Sequence, residues 1–101
     1  MLNVLISDKL SNTAVNIFRK NGIEVHFEPE LGKKPSELIK IINKYDGLAI
    51  RSNTKVNTKL LEQAAKLKVI GRAGIGVDNI DIEAASEKGI VVMNTPFGNS
   101  I

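Results

Sequence analysis

Five short segments, each separated from the next by a stretch with helical periodicity, constrain the fold of this chain more than any other feature. They span residues 3–7, 23–27, 47–50, 68–71 and 90–93 and are largely apolar. Parallel strands read as apolar runs when helices cover both faces of their sheet. The pattern therefore predicts a flavodoxin-like α/β fold: a three-layer α/β/α arrangement with a five-stranded parallel sheet, strand order 2-1-3-4-5 and right-handed crossovers.

The segments between the strands carry residues that commonly begin and end helices. These are Ser11–Asn12–Thr13, Asn57 or Thr58, and Asp81 at N-caps, Pro35 in a first turn, and Asn21–Gly22 and Gly89 at C-termini. Pro29 and Gly32 predict a loop before the second helix. The residues predicted to face the core from the first three helices are Ala14, Ile17, Phe18, Leu38, Ile41, Ile42, Tyr45, Leu60, Leu61, Ala64 and Leu67.

Composition excludes several kinds of protein. Cysteine is absent and histidine occurs once, which excludes disulfides, thiolate metal sites and a histidine-rich metal site. The net charge is +3, but the basic residues are scattered and aromatic residues make up 4%, which argues against nucleic-acid binding. No run reaches the ~18 apolar residues of a membrane span, and the N-terminus lacks the features of a secretory signal. A single cytoplasmic domain with no nucleic-acid or membrane partner is the expectation.

Two arginines are predicted to emerge at one edge of the sheet. Ligands of open parallel sheets bind beyond the carboxyl ends of the strands, where the strand order reverses. Here that point lies between strands one and three, beside Ser7–Asp8 and the loop of Arg51, Ser52, Asn53 and Thr54, with the loop 72–79 as neighbour. Arg51 and Arg72 offer guanidinium forks suited to carboxylate or phosphate. With the backbone N–H groups of Gly74, Ile75 and Gly76 as an anion nest, the edge predicts a site for a small, doubly anionic molecule.

Each of these features alone has a structural explanation. Arg51 can be a solvated edge residue, and Gly74 and Gly76 can provide a tight turn. The stretch "GRAGIGVDNID", residues 71–81, also departs from the dinucleotide motif G-x-G-x-x-G, because Asn79 stands where the third glycine belongs. We interpret this loop as a binder of carboxylate rather than of pyrophosphate.

Acid–base residues are not evident. His26 lies inside the second strand, so a structural or surface role is expected, and Asp78 and Asp81 are expected to cap a turn and a helix. A phospho-receiver domain shares the topology, but it needs an acidic pair after strand one and an aspartate ending strand three. Asp8 stands alone in the first position, and Ile50–Arg51 ends the third strand.

Three stretches resemble a known family. "GRAGIGVDNIDIEAASEKGIVVMNTPFGNS" (71–100), "LAIRSNTKV" (48–56) and "NVLISDKL" (3–10) are similar to the D-isomer-specific 2-hydroxyacid dehydrogenases. The resemblance covers the whole chain and implies an outer, partial substrate-binding domain at residues 1–101. That domain is expected to end at the hinge "NTPFGNS", beyond which an NAD-binding Rossmann domain follows in the family.

The resemblance also implies roles for individual residues. It assigns substrate binding to residues of one loop and its neighbours: Arg51, Ser52, Asn53, Arg72, Gly74, Ile75, Gly76 and Asn99. Ile75 is also expected to approach the cofactor NAD. The implied reaction is oxidation of a small hydroxyacid such as 3-phosphoglycerate, at the entry to serine biosynthesis, with hydride passing to NAD. The family's catalytic Arg, Glu and His, and its dinucleotide loop, have no counterparts among these 101 residues.

The resemblance therefore implies that the chain by itself is inactive and holds no NAD. Another hydroxyacid substrate, or a non-enzymatic module that binds a small anion, remains an alternative. Self-association through a bare fifth strand or an uncovered sheet face is a further expectation.

Overall fold

A computed structural model of the chain describes residues 2–10, 12–73 and 79–95. The strands are β1 (Asn3–Ile6), β2 (Glu24–Phe27), β3 (Gly47–Ile50), β4 (Val69–Ala73) and β5 (Val91–Thr95). The α-helices are α1 (Asn12–Lys20), α2 (Pro35–Ile41), α3 (Thr58–Gln63) and α4 (Ile82–Glu87). Single 3₁₀ turns at Leu31–Lys33 and Ile42–Lys44 precede and follow α2.

The five strands form one parallel sheet in the order β2-β1-β3-β4-β5, which confirms the predicted topology. Val4 of β1 lies opposite Val25 of β2 on one side and Gly47 of β3 on the other. Gly47 in turn lies opposite Val69 of β4. Strand order therefore reverses between β1 and β3, as the sequence predicted.

The two faces of the sheet contact unequal layers of helices. Leu5, Leu48 and Ile70 lie on one face and form the larger core cluster with apolar residues of α2, α3 and α4. The opposite face contributes Val4 and Ile6 to a smaller cluster with α1. This division follows from right-handed crossovers, because the chain moves one way from β1 to β2 and the other way through β3, β4 and β5.

One half of the α1 face is open among the described residues. Small residues of β3 and β4, including Ala49 and Gly71, line an apolar groove of about 110 Å³ next to Phe18. Val91 and Met93 of β5 lie on this side and are 57% and 48% exposed. The predicted three-layer α/β/α fold is confirmed, since helices pack on both faces, and among the described residues α1 covers only part of its face.

Most predicted helix boundaries are confirmed. Asn57 Oδ1 accepts a hydrogen bond from the Leu60 N–H at 2.9 Å, and Asp81 Oδ1 accepts one from the Ala84 N–H at 3.1 Å. Pro35 is the first residue of α2. Glycines with φ of +76° and +74° follow α1 and α4, at Gly22 and Gly89.

Other details differ from the prediction by one or two residues. β1 ends at Ile6 rather than at residue 7, and β4 runs on to Ala73 rather than ending at residue 71. The loop predicted around Gly32 contains a 3₁₀ turn. Val15, which the helical pattern did not single out, is buried in the α1 cluster, whereas the side chains of Ala14 and Ile17 lie outside the described set.

His26 has the structural role expected of it. Its Nδ1 lies 2.7 Å from the Tyr45 hydroxyl, and the two rings meet edge to face with centroids 5.3 Å apart. Burial, followed by the nearby carboxylates of Glu28 and Glu24, raises the pKa of the Tyr45 phenol.

Within the described ranges, none of the helices is long and apolar enough to span a membrane.

Asp46 ties together the amino ends of three strands. Its Oδ2 accepts a hydrogen bond from the Asn3 N–H at 3.0 Å, and its backbone bonds to Asn3 O and Lys68 N. The Asn3 N–H holds the pKa of this carboxyl below its ordinary value; burial opposes the shift, and Lys66 and Lys68 add to it.

We expect Asp46→Asn to destabilise the fold at neutral pH and to make it less sensitive to acid. A carboxyl whose pKa is lowered by folding stabilises the folded state above its unfolded pKa, here about 3.8, and that stabilisation is lost as the pH falls further. The gap between parent and variant in urea unfolding free energy should therefore shrink below about pH 4. A gap that stays constant from pH 7 to pH 3 would contradict the role of Asp46.

Candidate functional site

The candidate site lies at the carboxyl edge of the sheet, where β1, β3 and β4 end side by side. Ile6 of β1 lies opposite Ala49 of β3, and Ile50 of β3 lies opposite Arg72 of β4. Arg51 and Arg72 therefore leave neighbouring strands at the same edge. This is the position that the sequence predicted for both arginines.

A buried carboxylate organises the loop that follows β3. Asp8, two residues beyond the end of β1, is only 1% exposed. Its Oδ2 accepts hydrogen bonds from the backbone N–H groups of Arg51 at 2.7 Å and Thr54 at 3.0 Å. Burying a carboxylate is costly unless donors satisfy it, and these two charge-assisted bonds supply that compensation.

The second oxygen of Asp8 lies against the 3₁₀ turn. Asp8 Oδ1 has no hydrogen-bond partner among the described residues. The Gly32 Cα faces it, because a Cβ built on Gly32 would overlap both Asp8 Oδ1 and Thr54 Oγ1. Ser7 completes the packing: its Oγ lies 2.7 Å from Thr54 Oγ1, and its carbonyl accepts a hydrogen bond from the Gly32 N–H at 2.7 Å. A glycine is required at position 32 for this close approach.

Asn79 holds the same loop from the other side. Its Nδ2 donates to the carbonyl of Arg51 at 2.6 Å and to that of Thr54 at 2.7 Å. Its Oδ1 accepts a hydrogen bond from Arg72 Nε, also at 2.6 Å. One amide group thus links the two predicted anion-binding arginines, and these partners leave a single consistent orientation for its nitrogen and oxygen.

The backbone around Asn79 is fixed by the segment before α3. Val56 N donates to Asn79 O at 2.9 Å, and Asp81 N donates to Val56 O at 2.8 Å. These bonds form an isolated parallel bridge between Val56 and Ile80. Because both residues of the bridge are buried, Asn79 is anchored to the core beside the loop 51–54.

The structure brings together those predicted site residues that it describes. Arg51, Ser52 and Asn53 are exposed on the loop after β3, and Arg72 is half-buried at the end of β4. Lys55 adds another cation, since its Nζ donates to the Ser52 carbonyl at 3.4 Å. The remaining predicted site residues, Gly74, Ile75, Gly76 and Asn99, lie outside the described residues, as does the predicted turn residue Asp78.

Sequence reasoning did not assign a role to Asp8 or Asn79, which do the most to organise the site. In the sequence, Asp8 stands out only as a lone acidic residue beside the predicted ligand edge, and Asn79 only as a residue that breaks a glycine motif. The available signal for Asp8 is an acidic residue directly after a buried central strand, where its side chain must find donors within the protein.

The described part of the site carries groups whose chemistry suits an anion. It presents guanidinium, ammonium and hydroxyl groups at the edge where parallel sheets take their ligands. His26 is opposite Leu5 in the middle of β2 and bonds to Tyr45, so it is not part of this edge. No group of three potential metal ligands occurs among the residues that the structure describes.

The described residues do not fit a dinucleotide. A pyrophosphate loop needs glycines so that backbone N–H groups can approach the phosphates at the start of a helix. At position 79 an asparagine side chain instead bridges Arg51 and Arg72, and α4 begins later, at Ile82.

Comparison with known proteins identifies the family of the chain and supports its fold. The family model of the D-isomer specific 2-hydroxyacid dehydrogenase, catalytic domain, matches residues 4–101. The chain belongs to this family. Its members are oxidoreductases, and the resemblance stated from the sequence is confirmed.

Similar proteins include the D-3-phosphoglycerate dehydrogenases of Archaeoglobus fulgidus and Methanocaldococcus jannaschii, each 48% identical over 99% and 100% of this chain. The human D-3-phosphoglycerate dehydrogenase is 49% identical over 97% of the chain. The chain spans only 18–19% of the length of these relatives.

Solved structures share the fold. A Pyrococcus horikoshii protein superposes with a TM-score of 0.87 at 30% identity, over 94% of this chain and 28% of that one. The NAD⁺-bound 3-phosphoglycerate dehydrogenase of Entamoeba histolytica gives a TM-score of 0.80 at 36% identity, over 92% of this chain and 32% of that one.

We expect Gly32→Ala to destabilise the chain by ~1–3 kcal/mol, because the added methyl group overlaps Asp8 and Thr54 in a packed region. Gly71→Ala is the matched control, since a Cβ there meets no atom within 4 Å. Urea unfolding measures both. Equal stability of the two variants would show that the contact between Gly32 and Asp8 is not tight.

Proposed function

We propose that this chain is the substrate-binding segment of an NAD-dependent D-3-phosphoglycerate dehydrogenase. Such an enzyme oxidises 3-phosphoglycerate to 3-phosphohydroxypyruvate, the first step towards serine. The observation that carries the proposal is that Asn79 joins the Arg72 guanidinium to the backbone carbonyl of Arg51 at the carboxyl edge of the sheet. Two arginines that leave neighbouring strands at one edge suit a compact substrate with a carboxylate and a phosphate.

In this proposal the chain binds and orients the substrate. Oxidation of the hydroxyl removes a hydride and a proton from the alcohol, and bound NAD supplies the hydride acceptor. Arg51 fixes an anionic end of the acid, which turns the approach of the reacting carbon into an intramolecular event. The proton acceptor and the nucleotide site are assigned to residues beyond these 101.

The domain boundaries belong to the same proposal. Residues 1–101 form part of the outer domain, and "NTPFGNS" (94–100) forms the hinge that leads to the nucleotide domain. Asn99 of the hinge, with Gly74, Ile75 and Gly76, completes the substrate site from the side of that domain. Ile75 is the residue proposed to approach NAD.

The decisive experiment uses the reading frame that contains this chain. If it continues into a helix and a G-x-G-x-x-G loop, its product should reduce NAD⁺ when supplied with D-3-phosphoglycerate. The 101-residue chain alone should give no turnover. If the product prefers D-lactate to D-3-phosphoglycerate, its substrate is another hydroxyacid. Saturable binding without turnover by the complete product would favour an anion-binding module.

Arg51 provides a direct test of the substrate site. We expect Arg51→Ala to lower kcat/KM of the complete product about 100-fold and Arg51→Lys about tenfold, because lysine keeps the charge but not the bidentate fork. Arg19→Ala removes an exposed arginine from the end of α1 and serves as the control. An effect of Arg51→Ala no larger than that of Arg19→Ala would exclude Arg51 from substrate binding.

We also expect the isolated 101-residue chain to self-associate through the open half of the α1 face. Val91 and Met93 are exposed there, and β5 offers an unpaired edge among the described strands. Met93→Lys should lower the sedimentation coefficient at high concentration. Ile82→Lys, on the opposite layer, is the control because it also removes an exposed apolar side chain. A monomeric parent chain would contradict the expectation.

A further inference from the structure

We propose that Asp8 and Asn79 are positioning residues that fix the backbone of the loop 51–54 before any ligand binds, so that Arg51 and Arg72 meet an anion as a pair. The inference deepens the proposed function and depends on it for the identity of the anion. Neither residue is placed in contact with the substrate.

Two side chains hold the two ends of the loop by hydrogen bonds. Asp8 Oδ2 accepts the N–H groups of Arg51 and Thr54, and Asn79 Nδ2 donates to the carbonyls of the same two residues. All four backbone polar groups of Arg51 and Thr54 are therefore satisfied by two side chains. We call this arrangement of Asp8, Asn79, Arg51 and Thr54 the loop clamp.

The loop clamp defines the loop conformation because no sheet or helix bonds serve these backbone groups. Without the clamp, the N–H groups of Arg51 and Thr54 would turn to water and the loop would gain alternative conformations. The free energy needed to order the loop again would then make ligand binding less favourable. A loop that is already ordered avoids this cost, which links the clamp to affinity.

The chemistry of Asn79 is specific to this role. The clamp needs a donor towards the carbonyls of Arg51 and Thr54, and Arg72 Nε needs an acceptor. A primary amide supplies both from one planar group, whereas a carboxylate of the same shape supplies only the acceptor. Asn79→Asp would therefore keep the bond to Arg72 but place a negatively charged oxygen against the carbonyl oxygens of Arg51 and Thr54.

Asp46 offers a matched comparison for Asp8. Asp8 follows β1, and Asp46 precedes β3. Both are buried aspartates whose carboxyl groups accept hydrogen bonds from backbone N–H groups. Asp46 does so at the amino edge of the sheet, next to Asn3, whereas Asp8 does so at the carboxyl edge. A general loss of stability affects both variants, and a loss of positioning affects only the substitution at Asp8.

The experiment compares the 101-residue chain with its Asp8→Asn, Asn79→Asp and Asp46→Asn variants. NMR measures amide exchange with water at Arg51, Thr54, Leu48 and Asn3, whose N–H bonds to Asp46. Titrations with D-3-phosphoglycerate and with inorganic phosphate measure affinity. Leu48 lies in β3 and reports the stability of the core.

We expect Asp8→Asn to accelerate exchange at Arg51 and Thr54 about tenfold more than at Leu48 and to weaken binding of both anions about tenfold, the effect of losing charge-assisted hydrogen bonds. Asn79→Asp should weaken binding to a similar extent. Asp46→Asn should accelerate exchange at Asn3 and leave both affinities within about twofold, since its carboxylate is remote from the loop.

Three outcomes would overturn the inference. Unchanged exchange at Arg51 and Thr54 in Asp8→Asn would show that the clamp does not order the loop. Faster exchange with unchanged affinity would show that loop order does not serve binding, and equal losses of affinity in Asp8→Asn and Asp46→Asn would reduce both to stability effects. Failure of the parent chain to bind either anion would overturn the link between the loop clamp and affinity, whereas turnover of D-3-phosphoglycerate by the complete product separately tests the proposed function. If Asp8→Asn does not fold, Asn79→Asp decides the same questions.

Discussion

Central strand β1 is the constraint on which the rest of the structure depends. It pairs with β2 on one side and β3 on the other, and both of its faces are covered, so Leu5 and Ile6 are excluded from water. The strand order reverses beside it, which opens a site at its carboxyl end. Asp8, just beyond that end, is consequently buried and must take its hydrogen bonds from the neighbouring loop.

The same topology makes the two sides of the sheet different. Three helices close one face, while α1 alone packs on the other among the described residues, next to the groove beside Phe18. Gly71 of β4 is partly exposed on that side, whereas every residue of β3 is buried. Val56 and Ile80, whose bridge anchors the site edge, are buried in the larger core cluster on the face of α2, α3 and α4, not on the open face.

The chain belongs to the 2-hydroxyacid dehydrogenase family and spans about a fifth of the length of its relatives. Arg51 and Lys55 lie on the loop after β3, and Arg72 lies near the end of β4, so cationic side chains share one edge of the sheet. In the function that we propose, this edge holds and orients the acid, and hydride transfer and proton removal belong to other parts of the enzyme. Such a division is chemically reasonable, because fixed cations can hold an acid without an acid–base group.

The sequence by itself determined the fold class, the strand order and most helix boundaries, because apolar periodicity and capping residues such as Asn57 and Asp81 act over a few neighbouring positions. It also placed Arg51 and Arg72 at one edge, since parallel strands end together. It did not reveal the roles of Asp8, Gly32 and Asn79, because most of their partners lie 22 to 46 positions away along the chain, and only Arg72, seven positions before Asn79, is near in sequence. Only the tertiary structure decided those contacts, because hydrogen-bond geometry between distant segments is set by strand register and helix packing rather than by local pattern.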